Sequence, residues 1–245
     1  MNRRLVIVLA GLVLAAFAPA RALADNSRGV HYYVSLGDSL AEGFQPNGDG
    51  DHGYADQLYA LMRVEDPTLR LVKLGCGGET TLSTVDPNLP WEGRGAAYHC
   101  NFPHGSQLAE AVSFLHAHTG FVRAVTIDIG GNDFLDFGEH APDVIRANLT
   151  QIVDELGAAA GPNVTVVGMN YYDPFLPEAF RSGGLAGLQT EIATVVGLND
   201  LLEGIYARAG DPVADVQDAF RLADTRLVDY VRSGVELVRG ADELG

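Results

Sequence analysis

The chain has 245 residues, 47% hydrophobic and 20% charged, a composition that supports a sizeable core and excludes general disorder, collagen-like repeats and a disulfide-knotted small protein. Thirty-two acidic against 16 basic side chains give a formal charge of −16, which excludes nucleic-acid binding through phosphate contacts, because the phosphates would be repelled before a specific contact formed. At this length one α/β or all-β domain is the expectation.

Residues 1–24 read as an export signal, with Arg3 and Arg4 at the positive end, an apolar run over 5–18 and Ala22-Leu23-Ala24 as a small-residue cleavage site. The run falls short of the roughly 20 residues a bilayer span needs. A secreted, extracellular product without stable membrane insertion is therefore expected, its single domain covering 25–245 and beginning at Asp25. Export also changes how Cys76 and Cys100 read: they are the only two cysteines, and an oxidising compartment lets them pair. Closing that loop would stabilise by roughly 3–4 kcal/mol in the chain-entropy account. Two thiols without a second Cys or His pair at ligand spacing cannot complete a zinc shell, so no metal is expected, and His99 and His104 read as surface loop residues.

Apolar runs bounded by turns follow at 32–37, 69–76, 124–130, 164–171 and 212–216, and they predict five strands. Segments with helical spacing lie between them, at 55–63, 106–118, 143–160 and 185–209; in the second, Leu108, Val112 and Leu115 share a face. Strands separated by helices imply right-handed crossovers, a parallel five-stranded sheet and a three-layer α/β/α sandwich. Ligands of such sheets bind outside the carboxyl ends of the strands, so the residues just after each strand are the ones to search. The Gly/Pro-rich segment 87–103 predicts a long loop beneath the expected disulfide.

The first strand ends in Gly37-Asp38-Ser39-Leu40, which places a serine hydroxyl where a helix begins. There backbone amides and the helix dipole can stabilise a developing anion, although Asp38 or Ser39 acting only as a helix cap fits the same tetrapeptide. It is not the Gly-x-Ser-x-Gly elbow, since Ala41 stands two residues after Ser39. The loop Asn47-Gly48-Asp49-Gly50-Asp51 starts like a calcium loop but has His52 at the sixth position and Leu58 at the twelfth, so that template fails. The second strand leads into Gly75-Cys76-Gly77-Gly78-Glu79, a turn that admits close approach of a substrate oxygen to backbone amides. It lacks the Lys-Ser/Thr pair of a phosphate loop. The third ends in Gly130-Gly131-Asn132-Asp133, an amide donor in what is also an ordinary turn sequence. Three such features on consecutive strands make a catalytic reading worth following.

At these residues the sequence resembles the SGNH (GDSL) hydrolase family, and most closely its exported, actinobacterial-type esterases and lipases. The first family block matches Gly37-Asp38-Ser39-Leu40 and carries the nucleophile over to Ser39. The second matches the turn at Gly78, with Gly77 one residue away and the register between them open; its backbone amide would feed an oxyanion hole. The third matches Gly130-Gly131-Asn132-Asp133 and assigns the oxyanion side chain to Asn132. Segments 53–58, 104–108 and 170–174 also match, so the resemblance runs from about residue 31 to about residue 220. It implies a flavodoxin-like sandwich, hydrolysis of a small-molecule, lipid or glycan ester, and no cofactor.

Family members carry an Asp-x-x-His block near the C-terminus, whose histidine takes the serine proton. All seven histidines here, His31, His52, His99, His104, His116, His118 and His140, precede residue 141. A chain interrupted or frameshifted after about residue 220 is the leading expectation, with His52 or His104 as substitute bases the lesser one. The resemblance thus implies either an ester hydrolase acting through Ser39 or a catalytically inactive scaffold of that family.

Overall fold

The computed structural model describes residues 29–45, 47–86, 88–89 and 100–220. The export signal, His99 within the expected loop and the tail after Phe220 lie outside the described residues.

Five strands, β1 (His31–Gly37), β2 (Leu69–Lys73), β3 (Val122–Asp128), β4 (Thr165–Met169) and β5 (Val213–Ala214), form one sheet in the order β2-β1-β3-β4-β5. Every neighbouring pair is parallel. This is the flavodoxin-like order, in which the chain winds one way from β1 to β2 and the other way from β3 onward. The switch point lies between the carboxyl ends of β1 and β3, and there a crevice opens because the following segments diverge to opposite faces.

Alternation along the strands assigns the faces. Val34, Leu36, Val125, Ile127 and Val166 point into the main core with α4 (Gln107–Ala117), α6 (Ala141–Ala160) and the second part of α7 (Leu176–Ala209). Helix α6 supplies Ile145, Leu149, Ile152 and Leu156, all fully buried at three- and four-residue spacing. On the opposite face Tyr33 and Leu69 pack against α2 (Tyr54–Glu65) through Ala55, Leu58 and Met62. Burying one such Leu or Ile side chain is worth about 1.5–3 kcal/mol, so α6 alone anchors the larger layer.

The predicted helices are present with shifted ends. Helix α7 begins at Leu176, and Gly184, at φ 59° and ψ −146°, interrupts it just before the predicted start at residue 185. The last strand is two residues long where the apolar run suggested five, because only Gly168 and Met169 of β4 pair with it. Three short helices escaped the periodicity, α3 (Thr81–Val85), α5 (Gly131–Phe137) and α8 (Val216–Ala219), as did the single turn α1 (Ser39–Glu42). Each is too short to show a helical repeat. Cys76 and Cys100 form the expected disulfide, with their Cα atoms 6.1 Å apart, tying the end of β2 to the segment that leads into α4.

Candidate active site

The nucleophile turn is built from the end of β1. Gly37 has φ 130°, and a Cβ there would stand 2.0 Å from the Asp128 carbonyl oxygen of β3, so only glycine fits. Its amide donates to Gln107 Oε1 at 2.8 Å, and its carbonyl accepts from Gln107 Nε2 at 2.9 Å. One buried side chain of α4 thus holds both polar groups of this residue. The Asp38 amide donates to the Asp128 carbonyl at 3.0 Å, which locks the turn to β3.

Asp38 is the helix cap and Ser39 is not. The Asp38 carboxylate accepts from the Leu40 amide at 2.9 Å and from the Tyr171 hydroxyl at 2.8 Å. Among the described residues neither the amide nor the hydroxyl of Ser39 has a hydrogen-bond partner. The expected helix dipole contributes little, because α1 is a single turn of four residues. What the turn offers is the amide itself.

The glycine-rich turn after β2 divides its two candidate amides. Gly77 N–H donates to Glu42 Oε2 at 2.7 Å, while the Gly78 amide has no partner among the described residues. Asn132, in the first turn of α5, donates one amide hydrogen to the Glu79 carbonyl at 2.9 Å. A primary amide carries two hydrogens, so the second remains. That bond also links the Asn132 side chain to the residue after Gly78. Asp133 reaches across from α5 to α3, accepting from the Thr81 amide at 2.9 Å and from the Thr81 hydroxyl.

Ser39 and Asn132 line one cleft of about 190 Å³, together with Asp38, Tyr171 and apolar side chains from α1, α5 and α7. Gly78 is not in that lining; it stands behind Asn132, connected through Glu79. Beneath the cleft, burial pushes the Asp38 carboxyl upward. Burial and then the charge of Asp38 push Asp128 well up in turn, and one Asp128 oxygen has no partner. Burial raises Asp133 to about 6 against its Thr81 bonds.

None of the histidines among the described residues lines the cleft. His31 pairs with Asp66 at the amino end of β1, His52 with Asp49 at 2.8 Å, and His104 with Glu110 at 2.6 Å. His118 stacks on Phe114, and His140 is mostly exposed just before α6. The structure therefore brings Ser39, Asn132 and the Gly78 turn to one end of the sheet and leaves His52 and His104 in their own ion pairs.

A family model described as GDSL-like lipase/acylhydrolase matches residues 35–235. The chain belongs to this family. Among solved structures the chain is similar to AlinE4, an SGNH-hydrolase family esterase, at 19% identity over 78% of this chain and 79% of that one, with a TM-score of 0.48. It is similar also to Est24, a carbohydrate acetylesterase from Sinorhizobium meliloti, at 17% identity over 77% and 85% of the two chains, with a TM-score of 0.48. An extracellular lipase from Streptomyces rimosus matches at 23% identity over 76% and 80%, with a TM-score of 0.46. No curated protein matches the sequence at a significant level.

For a GDSL-like acylhydrolase, three structural partners of the site went unassigned by sequence reasoning. Gln107 sits in the matched segment 104–108, and Tyr171 in 170–174, so the segments were visible and the contacts were not. Glu42, which occupies the Gly77 amide, carries no motif signal at all.

Proposed function

We propose that the chain is an exported carboxylic ester hydrolase in which Ser39 Oγ attacks the ester carbonyl. The C–O bond formed there and the loss of the carbonyl π bond place a negative charge on oxygen. The amides of Ser39 and Gly78 and the free hydrogen of Asn132 are the donors for that oxyanion. The alcohol departs with the proton that Ser39 Oγ gives up, leaving an acyl-serine, and water then hydrolyses it, one water proton returning to Ser39 Oγ and the hydroxyl completing the acid. The observation that carries this reading is the coincidence, in one cleft at the switch point of the sheet, of the unpartnered hydroxyl and amide of Ser39 with the second amide hydrogen of Asn132, the unpartnered Gly78 amide standing behind it. The disulfide suits the oxidising compartment that export supplies. Among the described residues no helix is long and apolar enough to cross a membrane.

A second reading, an inactive scaffold that binds esters or glycans, is favoured by one observation: no imidazole among the described residues lines the cleft. Serine without a neighbouring base is a weak nucleophile near neutral pH. Turnover of a p-nitrophenyl butyrate by the full chain, compared with Ser39→Ala, separates the two. The hydrolase reading expects Ser39-dependent turnover. Equal, background-level rates from two folded proteins would overturn it in favour of the scaffold.

A further inference from the structure

The wall of the cleft opposite the strand ends carries a carboxylate that the hydrolase reading leaves without a role. Leu40, Phe134, Leu135, Phe175, Val195 and Leu198 make the cleft apolar, and the polar side chain that α7 adds beside Thr194 is Glu191. Among the described residues Glu191 has no hydrogen-bond or ion-pair partner, and no lysine or arginine lines the cleft. Arg181, earlier on α7, is engaged by Glu178. Asp173 lies close enough to act on Glu191 electrostatically; it is 8% exposed, and one of its carboxylate oxygens is buried without a partner. A second negative group therefore reinforces the first; Asp173 accepts from the Phe175 amide at 2.7 Å, and among the described residues no cation in the cleft compensates either charge.

We propose that this cleft is the acyl subsite, that it takes a short uncharged acyl group, and that Glu191 determines specificity by rejecting acyl groups that end in a carboxylate. The assignment rests on the hydrolase reading of Ser39. Size follows from volume: 190 Å³ is below the roughly 300–1,000 Å³ of sites for drug-sized ligands, and at roughly 30 Å³ per water-sized group it holds about six. Charge follows from the lining, because an anionic chain end would be desolvated among apolar side chains beside a like charge. Loss of water around Glu191, and then Asp173, already raises its pKa, the direction expected of a carboxylate without a counter-charge.

The test compares an aryl hexanoate with the aryl hydrogen glutarate of nearly equal length, at pH 8 and 0.15 M salt. The wild type is expected to favour the neutral ester in kcat/KM by roughly tenfold or more, Glu191→Gln to shrink that ratio several-fold, and Glu191→Lys to remove or invert it. Glu155→Gln, an exposed change on α6, controls for the overall acidity of the chain and is expected to leave the ratio unchanged. A ratio that Glu191→Gln does not alter, or a wild type that prefers the glutarate, overturns the proposal; a dodecanoate turned over faster than the hexanoate overturns its size limit. Should the chain prove inert, hexanamide and glutaric monoamide titrated into Ser39→Ala by NMR give the same comparison as binding. A chain that hydrolyses nothing but binds the neutral amide selectively fails the hydrolase reading and keeps the subsite.

Discussion

The two sides of the cleft are built on different principles. On the strand side, the groups that flank the free donors are held: Gly37 by Gln107, Asp38 by β3 and Tyr171, Gly77 by Glu42, and the Asn132 side chain by the Glu79 carbonyl. On the α7 side, the wall is apolar side chains and one carboxylate without a partner among the described residues. Positions that must meet a developing charge need fixed dipoles, since their value lies in not reorganising during the reaction. Positions that meet an acyl chain need only shape and the right sign of charge. The difference matches the proposed division, with the chemistry on strand ends and selectivity on a helix broken at Gly184.

The largest expected effect tests the rigid side. Gly37→Ala puts a methyl group 2.0 Å from a backbone oxygen at a φ that side chains rarely adopt, so neither the strand pair nor the turn can be kept. A loss of about 4 kcal/mol or more is expected, read as a collapse of the denaturation midpoint or as failure to fold. A variant within about 1 kcal/mol of the wild type would show that β1 and β3 are not locked as described.

Asn132→Ala comes next. It removes one oxyanion donor and the bond to the Glu79 carbonyl, and a fall of about 10²–10³ in kcat is expected with KM nearly unchanged. The matching change on the helical side, Glu191→Gln, is expected to move the ratio between substrates and not the rate on a neutral one. Loss of kcat on both sides would break the division between a catalytic wall and a selective one.

How much of this was legible in the sequence divides along the same line. The parallel sheet and the three strand-end motifs follow from apolar runs and glycine-rich turns, because parallel strands buried on both faces and tight turns leave local signatures, whereas the strand order was implied only by the resemblance to a flavodoxin-like family. Ser39, Gly78 and Asn132 were singled out at those motifs by the family resemblance, since the motifs alone also read as a cap and turns. What distinguishes the amides of Gly77 and Gly78 was not legible, because it depends on Glu42, 35 residues away in sequence, taking that of Gly77. Gln107 reaches Gly37 across 70 residues and Tyr171 reaches Asp38 across 133, and no local pattern encodes such contacts. Glu191 was invisible for a different reason: one acid in a long polar-faced helix looks like a solvated surface group until the cleft is seen. The dipole expected at Ser39 was overstated because sequence did not show that α1 stops after one turn at Gly43.

The smallest effect concerns Asp133, which ties α5 to α3 behind Asn132 and whose carboxyl burial raises to about 6. An unfolded aspartate titrates near 3.9, so between about pH 4 and 6 the folded protein holds the extra proton. Stability from this group is therefore fully present below about pH 4 and is lost as pH rises through about 6, by about 2–3 kcal/mol. Asp38 and Asp128, raised by burial as well, act in the same direction. Asp66 and Asp215, lowered by their hydrogen bonds, act the other way and only in more acid solution, so they do not mask the window. Asp133→Asn keeps an acceptor for the Thr81 amide and removes the titration. The melting temperature of the wild type is expected to fall between pH 4.5 and 7, and the variant to fall by several degrees less. Parallel curves for the two proteins would mean that Asp133 is ionised throughout, and that the turn behind Asn132 is held by charge and not by a buried acid.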